Sequence, residues 1–251
     1  MKDREKRDVS SVWNAAAEDW ADFVRTRKDY WRDFANNPAA FRLIGNVRGK
    51  IVLDMACGEG YNTRILARKG AKVTGIDSSR RLIGMATAEE RREPLGITYH
   101  LMNATHLKNL DDSSFDVVTC FMALQDIANY SGAVAEASRI LKQGGRFIFS
   151  IPHPCFEDVM VNGVNVNASE IYFDKIRYPL YWNMKRLTKP FMTVAFHRSL
   201  TDYSQALAKN RLLTIRIVEP QPTKKAMQEC PSLRKGSNRP WSIVFSTVKS
   251  C

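Results

Sequence analysis

No run in this 251-residue sequence approaches the ~20 apolar residues needed to cross a bilayer, so a membrane-spanning protein is not expected. Cysteine is sparse: the five residues, at 57, 120, 155, 230 and 251, form no CxxC pair. That spacing supports no metal site and reads as free thiols in a reducing compartment. The opening stretch MKDREKRDVS has no apolar segment, so no secretory signal is expected and the chain is placed in the cytoplasm. Internal repeats and low-complexity tracts are missing too, which excludes solenoids and disordered linkers. Acidic charge is short, 26 residues against 38 basic ones, and the shortage is local. Residues 51–155 carry 12 basic and 11 acidic side chains, whereas residues 156–251 carry 15 and 7. The excess gathers at Lys175, Arg177, Lys185, Arg186 and Lys189, and again at Lys224, Lys225, Arg234, Lys235 and Arg239.

With 44% apolar and 25% charged residues, the chain can bury one sizeable core. Residues 9–36 space Val12, Trp20, Phe23, Val24, Trp31 and Phe34 at helical intervals, predicting one or two amphipathic helices, and Pro38 opens a short helix ending near Gly45. The period then changes. KIVLDMA, AKVTGID, GITYHLMN, SFDVVTCFM and GRFIFSIP read as strands; YNTRILARKG, SSRRLIGMATAEERRE and YSGAVAEASRILKQG read as helices between them. Such alternation predicts an α/β fold: a Rossmann-like, doubly wound, mostly parallel sheet covered on both faces. After Pro152 it stops, and residues 153–198, rich in Pro, Asn, Tyr and Trp, read as a lid insertion. A helix at SLTDYSQALAKN and strands LLTIRIVEP and WSIVFSTVK bring the sheet to seven strands. The expected organisation is a helical cap over 1–46, a core over 47–152, the lid over 153–198 and completion of the sheet over 199–251.

The stretch LDMACGEGYN ends the first strand with Asp54 and then drops most of its side chains. In an open α/β sheet this is the edge where ligands bind, and Gly58 and Gly60 let the backbone turn and approach a ligand before a helix N-terminus. Asp77, ending the second strand 17 residues after Gly60, can accept hydrogen bonds from a ribose. The third glycine of a dinucleotide fingerprint is lacking, because Thr63 stands there. The site therefore reads a nucleoside without matching a dinucleotide motif.

VLDMACGEG with VTGIDSS, FDVVTCFMALQDI and RILKQGGRFIFSI resembles the class I methyltransferases that use S-adenosyl-L-methionine, over about residues 50–152. IPHPCF and FHRSLTDYSQAL resemble its small-molecule members. The resemblance implies that Asp54 faces the cofactor's ammonium group, and that Ala56, Cys57, Gly58 and Gly60 line its methionine and ribose. It implies that Asp77 binds both ribose hydroxyls, with Ser78 and Leu82 near the adenine. Asn103, Ala104 and Thr105 match the adenine loop, with Asn103 in place of the usual Asp, and Phe121 and Met122 lie beneath the sulfonium.

Methyl transfer needs alignment and, for a protonated acceptor, a base. His153, between two prolines at the same sheet edge, is the candidate base; His197 is a candidate pocket residue, while His100 and His106 read as surface. Gln125 and Asp126 stand where relatives contact the acceptor, Asp126 reading equally well as a helix cap. Tyr30 and Trp31, and Tyr172, Tyr178, Tyr181 and Trp182 of the insertion, are candidate walls of an acceptor pocket or plain core. The function read here is methyl transfer to an O, N or C of a small, anionic or aromatic metabolite. An RNA (tRNA) methyltransferase is the alternative, motivated by the basic final third, although no nucleic-acid module or N-P-P-Y motif is present. A non-catalytic nucleotide-cofactor-binding protein is the second. The oligomeric state is not legible.

Overall fold

Strand-forming runs and amphipathic helices alternate through the first 152 residues, and the computed structural model, which describes residues 8–27, 29–183, 187–235 and 237–250, joins them in one sheet. Ile51–Met55 (β1), Lys72–Asp77 (β2), Thr98–Leu101 (β3), Phe115–Phe121 (β4) and Leu141–Pro152 (β5) run parallel. Their crossovers are Tyr61–Arg68 (α3), Arg80–Arg92 (α4) and Tyr130–Ile140 (α5), preceded in the chain by Val9–Arg25 (α1) and Asn37–Ile44 (α2). Residues 153–198 fold as two hairpins, Asp158–Val161 (β6) with Val164–Asn167 (β7), and Arg177–Trp182 (β8) with Phe191–Phe196 (β9). Leu200–Lys209 (α6), Leu212–Val218 (β10), Lys224–Glu229 (α7) and Ser242–Lys249 (β11) follow.

The sheet order is β10-β11-β5-β4-β1-β2-β3, with β11 antiparallel to both neighbours. The expected seven-stranded, mostly parallel, doubly wound sheet is what forms. Both faces are covered. Leu53, Val118, Phe147, Phe149 and Phe245 pack under α5 and α6, while Val52, Val73, Val117, Ile148 and Val244 pack under α2 and α3. Adjacent residues of β1 therefore serve opposite cores, which is why its run is continuously apolar up to Asp54.

Three local details are set by the structure. The fifth helix stops at Ile140 rather than running through the glycines, because Leu141 is fully buried and already pairs with Phe115 of β4. Of the two serines before α4, Ser79 is the cap, accepting the Leu82 N–H at 3.3 Å. Between α1 and α2 the chain makes a π-helical turn over Arg32–Asn36, at whose end Asn36 and Asn37 are both buried, and α7 had no signal in the sequence. No helix among the described residues is long and apolar enough to cross a membrane.

Candidate active site

Chain direction reverses between β1, which leads outward to β2, and β4, which leads outward to β5. The crevice at such a switch point is where open α/β sheets bind ligands. Here the residues just past the two strands, Ala56 at φ 54° and Met122 at φ 48°, adopt left-handed backbone although neither is glycine. Strain of this kind gathers at functional sites, and both residues line a cavity.

Asp54 is buried at the end of β1, where its two oxygens accept from Thr63 Oγ1 at 2.6 Å and Thr119 Oγ1 at 2.8 Å. Burial pushes its carboxyl up to about 6, against the opposing pull of those two hydroxyls. Gly58 and Gly60 follow at φ 58° and 84°. Between them Glu59, 1% exposed, is held by Arg64 at 3.0 Å and by Arg25 of α1 at 2.8 Å, so the N-terminal helix clamps the loop from above. Asp77 clamps it from the side: one oxygen accepts the Gly58 N–H at 2.9 Å, the other the Ser79 N–H at 2.8 Å. Burial raises this carboxyl as well, while the backbone donors pull it back.

Two cavities open on this frame. One, of about 420 Å³, is walled by Asp77, Ser78, Asn103, Ala104 and Thr105. The other, of about 490 Å³, is walled by Asp54, Cys57, Gly58, Phe121 and Met122, and by aromatic side chains from distant segments. Ala56 and Asp126 line both. Trp13 and Trp20 come from α1, Trp31 from before the π turn, Tyr178, Tyr181 and Trp182 from β8, and Trp241 from before β11. Trp20 meets Trp182 at 5.2 Å and Trp31 stacks on Trp241 at 5.3 Å, so cap and lid close the cavity by edge and face contacts.

The remaining sequence candidates lie elsewhere. Gly60 lines neither cavity and serves beneath the loop, while Leu82 is buried in the core at the start of α4. Asn103 borders the smaller cavity, but its side-chain oxygen already accepts from the Thr105 N–H and Oγ1, each at 2.9 Å, and so is spent on shaping its own loop. His153 is outside both walls and 3% exposed. Its Nδ1 accepts the Cys155 N–H at 3.2 Å, which leaves the proton on Nε2, donated to Glu219 at 2.8 Å. With no free lone pair and no access, His153 fastens the turn after β5 to β10; the base role is not carried further. His197 is also enclosed, 2.8 Å from Glu157 and 3.3 Å from the Tyr172 carbonyl. His100 and His106 are exposed, Tyr30 packs beside Phe34, and Tyr172 accepts the Leu200 N–H through its hydroxyl.

A family described as a methyltransferase domain matches residues 53–149, the segment from β1 through β5 that carries the glycine loop, Asp77 and the adenine-loop match. A ubiquinone biosynthesis O-methyltransferase of Alkalilimnicola ehrlichii is 34% identical over 107 residues, 43% of this chain and 43% of that protein. A demethylmenaquinone methyltransferase of Tropheryma whipplei is 38% identical over 117 residues, 46% of this chain and 48% of that protein. Over these segments the chain is similar to methyltransferases. It spans just under half the length of these curated relatives. An S-adenosylmethionine dependent methyltransferase from Mesorhizobium loti, 24% identical, shares the fold with a TM-score of 0.70, covering 84% of this chain and 96% of that one.

Sequence reading missed Trp13, Asn36, Asn37, Glu157 and Trp241 on the walls of the larger cavity. Two consecutive asparagines just before Pro38 were the signal available for two of them.

Proposed function

We propose that this chain transfers a methyl group from S-adenosyl-L-methionine to an oxygen, nitrogen or carbon of a small aromatic molecule in the cytoplasm. The observation that carries this reading is the shared wall of Ala56 and Asp126: a polar cavity fit for a nucleoside opens beside an aromatic cavity fit for an acceptor. The residues present suit the cofactor. Gly58 leaves an open backbone beneath Trp20, Asp77 presents a carboxylate to the smaller cavity, and Asp54 offers the only carboxylate at the end of β1. When bound, the cofactor supplies an electrophilic methyl on sulfur. The chain's part is to hold it, to exclude water with the tryptophans, and to aim the acceptor. Two curated relatives are named for quinone biosynthesis, which supports a ring-bearing acceptor.

If Asp54 opposes the ammonium group, its titration reports on binding. A cation beside the carboxylate lowers its pKa, so binding releases a proton between pH 5 and 7 and affinity rises with pH. S-adenosylhomocysteine should bind about tenfold tighter at pH 7 than at pH 5, and Asp54→Asn should flatten that dependence. Calorimetry at the two pH values checks this; a parallel slope in the variant would remove Asp54 from the ammonium.

The basic final third does not point to RNA. Lys175 pairs with Asp202 at 2.8 Å, Lys225 with Glu229 at 3.8 Å and Arg239 with Asp158 at 3.3 Å. Lys189, Lys224, Arg234 and Lys235 are exposed, and only Arg239 of the described ones lines a cavity; Lys185 and Arg186 lie outside the described residues. Labelled cofactor and a metabolite extract should therefore yield label in the small-molecule fraction. Transfer RNA at ~150 mM salt should bind weakly, with an affinity indifferent to Lys224/Lys225 substitution. Submicromolar RNA binding with a log–log salt slope of several units would reverse the choice.

A further inference from the structure

Four polar atoms on the wall of the larger cavity are buried without a hydrogen-bond partner: Asn36 Oδ1, Asn37 Oδ1, Gln125 Oε1 and Asp126 Oδ1. The last two sit side by side in the short 3-10 turn Leu124–Asp126 after β4. The orientation of Gln125 is not in doubt, because its Nε2 donates to the Met122 carbonyl at 2.7 Å and a carbonyl cannot donate back. Gln125 Oε1 is therefore an acceptor, and Asp126 Oδ1 is one when its carboxyl is ionised; each costs stability unless something bonds to it.

The other charged groups on that wall are provided for. Glu157 accepts from Tyr178 Oη at 2.9 Å and faces His197 Nδ1 at 2.8 Å. Arg32 donates to Asp33 at 2.9 Å and to the Val24 carbonyl at 3.0 Å while lying over the Tyr61 ring, and Arg239 is paired with Asp158. Asp54 is turned to its two threonines. Among the described residues, Asp126 alone is a carboxyl with an unpartnered oxygen at the junction of the two cavities, 6% exposed.

We infer, on the methyl-transfer reading above, that the acceptor presents an O–H or N–H to Asp126 Oδ1, with Gln125 Oε1 receiving a second donor, and that Asp126 takes the proton as the heteroatom is methylated. The acceptor's O–H or N–H bond breaks, its proton passes to Asp126, the freed electron pair bonds the incoming methyl carbon, and the S–CH₃ pair stays on sulfur. The acceptor class is thus a phenol, catechol or amine rather than an anion, since the guanidinium groups on this wall are both engaged.

Titration favours the assignment. Burial lifts the Asp126 carboxyl well above the ordinary range, outweighing Gln125, Arg198 and Trp13, which pull it down, while Asp77 adds to the rise. Cys120 and Tyr178 also face it. A raised carboxyl is a stronger base once ionised, so turnover should climb as pH rises through its pKa.

The test uses the full chain loaded with S-adenosylhomocysteine and three chromophores: 4-nitrocatechol, its dimethyl ether and 4-nitrobenzoate. 4-Nitrocatechol should bind with the spectrum of its ionised form below its solution pKa, and about tenfold or more tighter than either of the others. Asp126→Asn removes a buried carboxylate and should fold normally. It should abolish the spectral shift and weaken the catechol about tenfold or more, with S-adenosylhomocysteine affinity nearly unchanged. Equal binding of the ether or the benzoate, no binding of the catechol, or an unaltered spectrum in the variant would overturn the inference. Failure of wild-type protein to bind S-adenosylhomocysteine would instead overturn the methyltransferase reading.

Discussion

Asp77→Ala is expected to weaken S-adenosylhomocysteine binding by about 2–4 kcal/mol, roughly 30- to 1000-fold. Two losses combine. The carboxylate that faces the nucleoside cavity disappears, and with it the acceptors of the Gly58 and Ser79 N–H groups, 2.9 and 2.8 Å away, that hold the glycine loop and the start of α4 in place. From the ribose alone Asp77→Asn would look mild. The structure makes it costlier, because an amide keeps one acceptor and turns an N–H toward one of the two backbone donors. Calorimetry on folded protein checks both variants, and an alanine variant within about threefold of wild type would dismiss the ribose assignment.

Gly60→Ala should be the most damaging change in the loop. Gly60 sits at φ 84°, and a Cβ there would run into Tyr99 Oη and come within 3.0 Å of Arg64 Nη1. Gly58, by contrast, would place a Cβ 3.7 Å from Trp20 Nε1, an ordinary contact, so its cost is that of left-handed backbone at φ 58°. The expected losses are about 3–4 kcal/mol for Gly60→Ala and about 1–2 kcal/mol for Gly58→Ala, read as melting temperatures lowered by roughly 6–16 °C and 2–8 °C. Tyr99 Oη is buried without a partner, so Tyr99→Phe should be neutral and should rescue part of the Gly60→Ala defect. Additivity in that double variant would mean that the clash is relieved by some other movement.

Asp54, the glycine loop and Asp77 were legible because each is a local pattern: a strand ending in a carboxylate, a loss of side chains, a second strand ending in a carboxylate. The strand and helix order was legible for the same reason, since periods of two and 3.6 are properties of neighbouring residues. Boundaries failed where long-range pairing outweighed local preference, as at Leu141, whose burial against β4 ends α5 before the glycines. The two hairpins within residues 153–198 were not legible, because the aromatic and proline content of that segment masks the period of its strands.

The chemistry of the larger cavity was not legible. The sequence put His153 forward as the base, His197 as a pocket residue and Asp126 as an acceptor contact or helix cap, and left Glu157 unmarked. Only packing distinguishes them. The turn after β5 brings Cys155 and Glu219 to the two nitrogens of His153; β8 brings Tyr178 to Glu157; among the described residues no donor makes a hydrogen bond to Asp126 Oδ1. What the sequence by itself determined is the half of the site proposed to take the nucleoside, built within one run of about fifty residues whose geometry follows from local backbone rules. Tertiary structure decided the acceptor half, because its walls come from α1, the π turn, β4, the lid and β11, and whether a polar atom is satisfied depends on which of these meet.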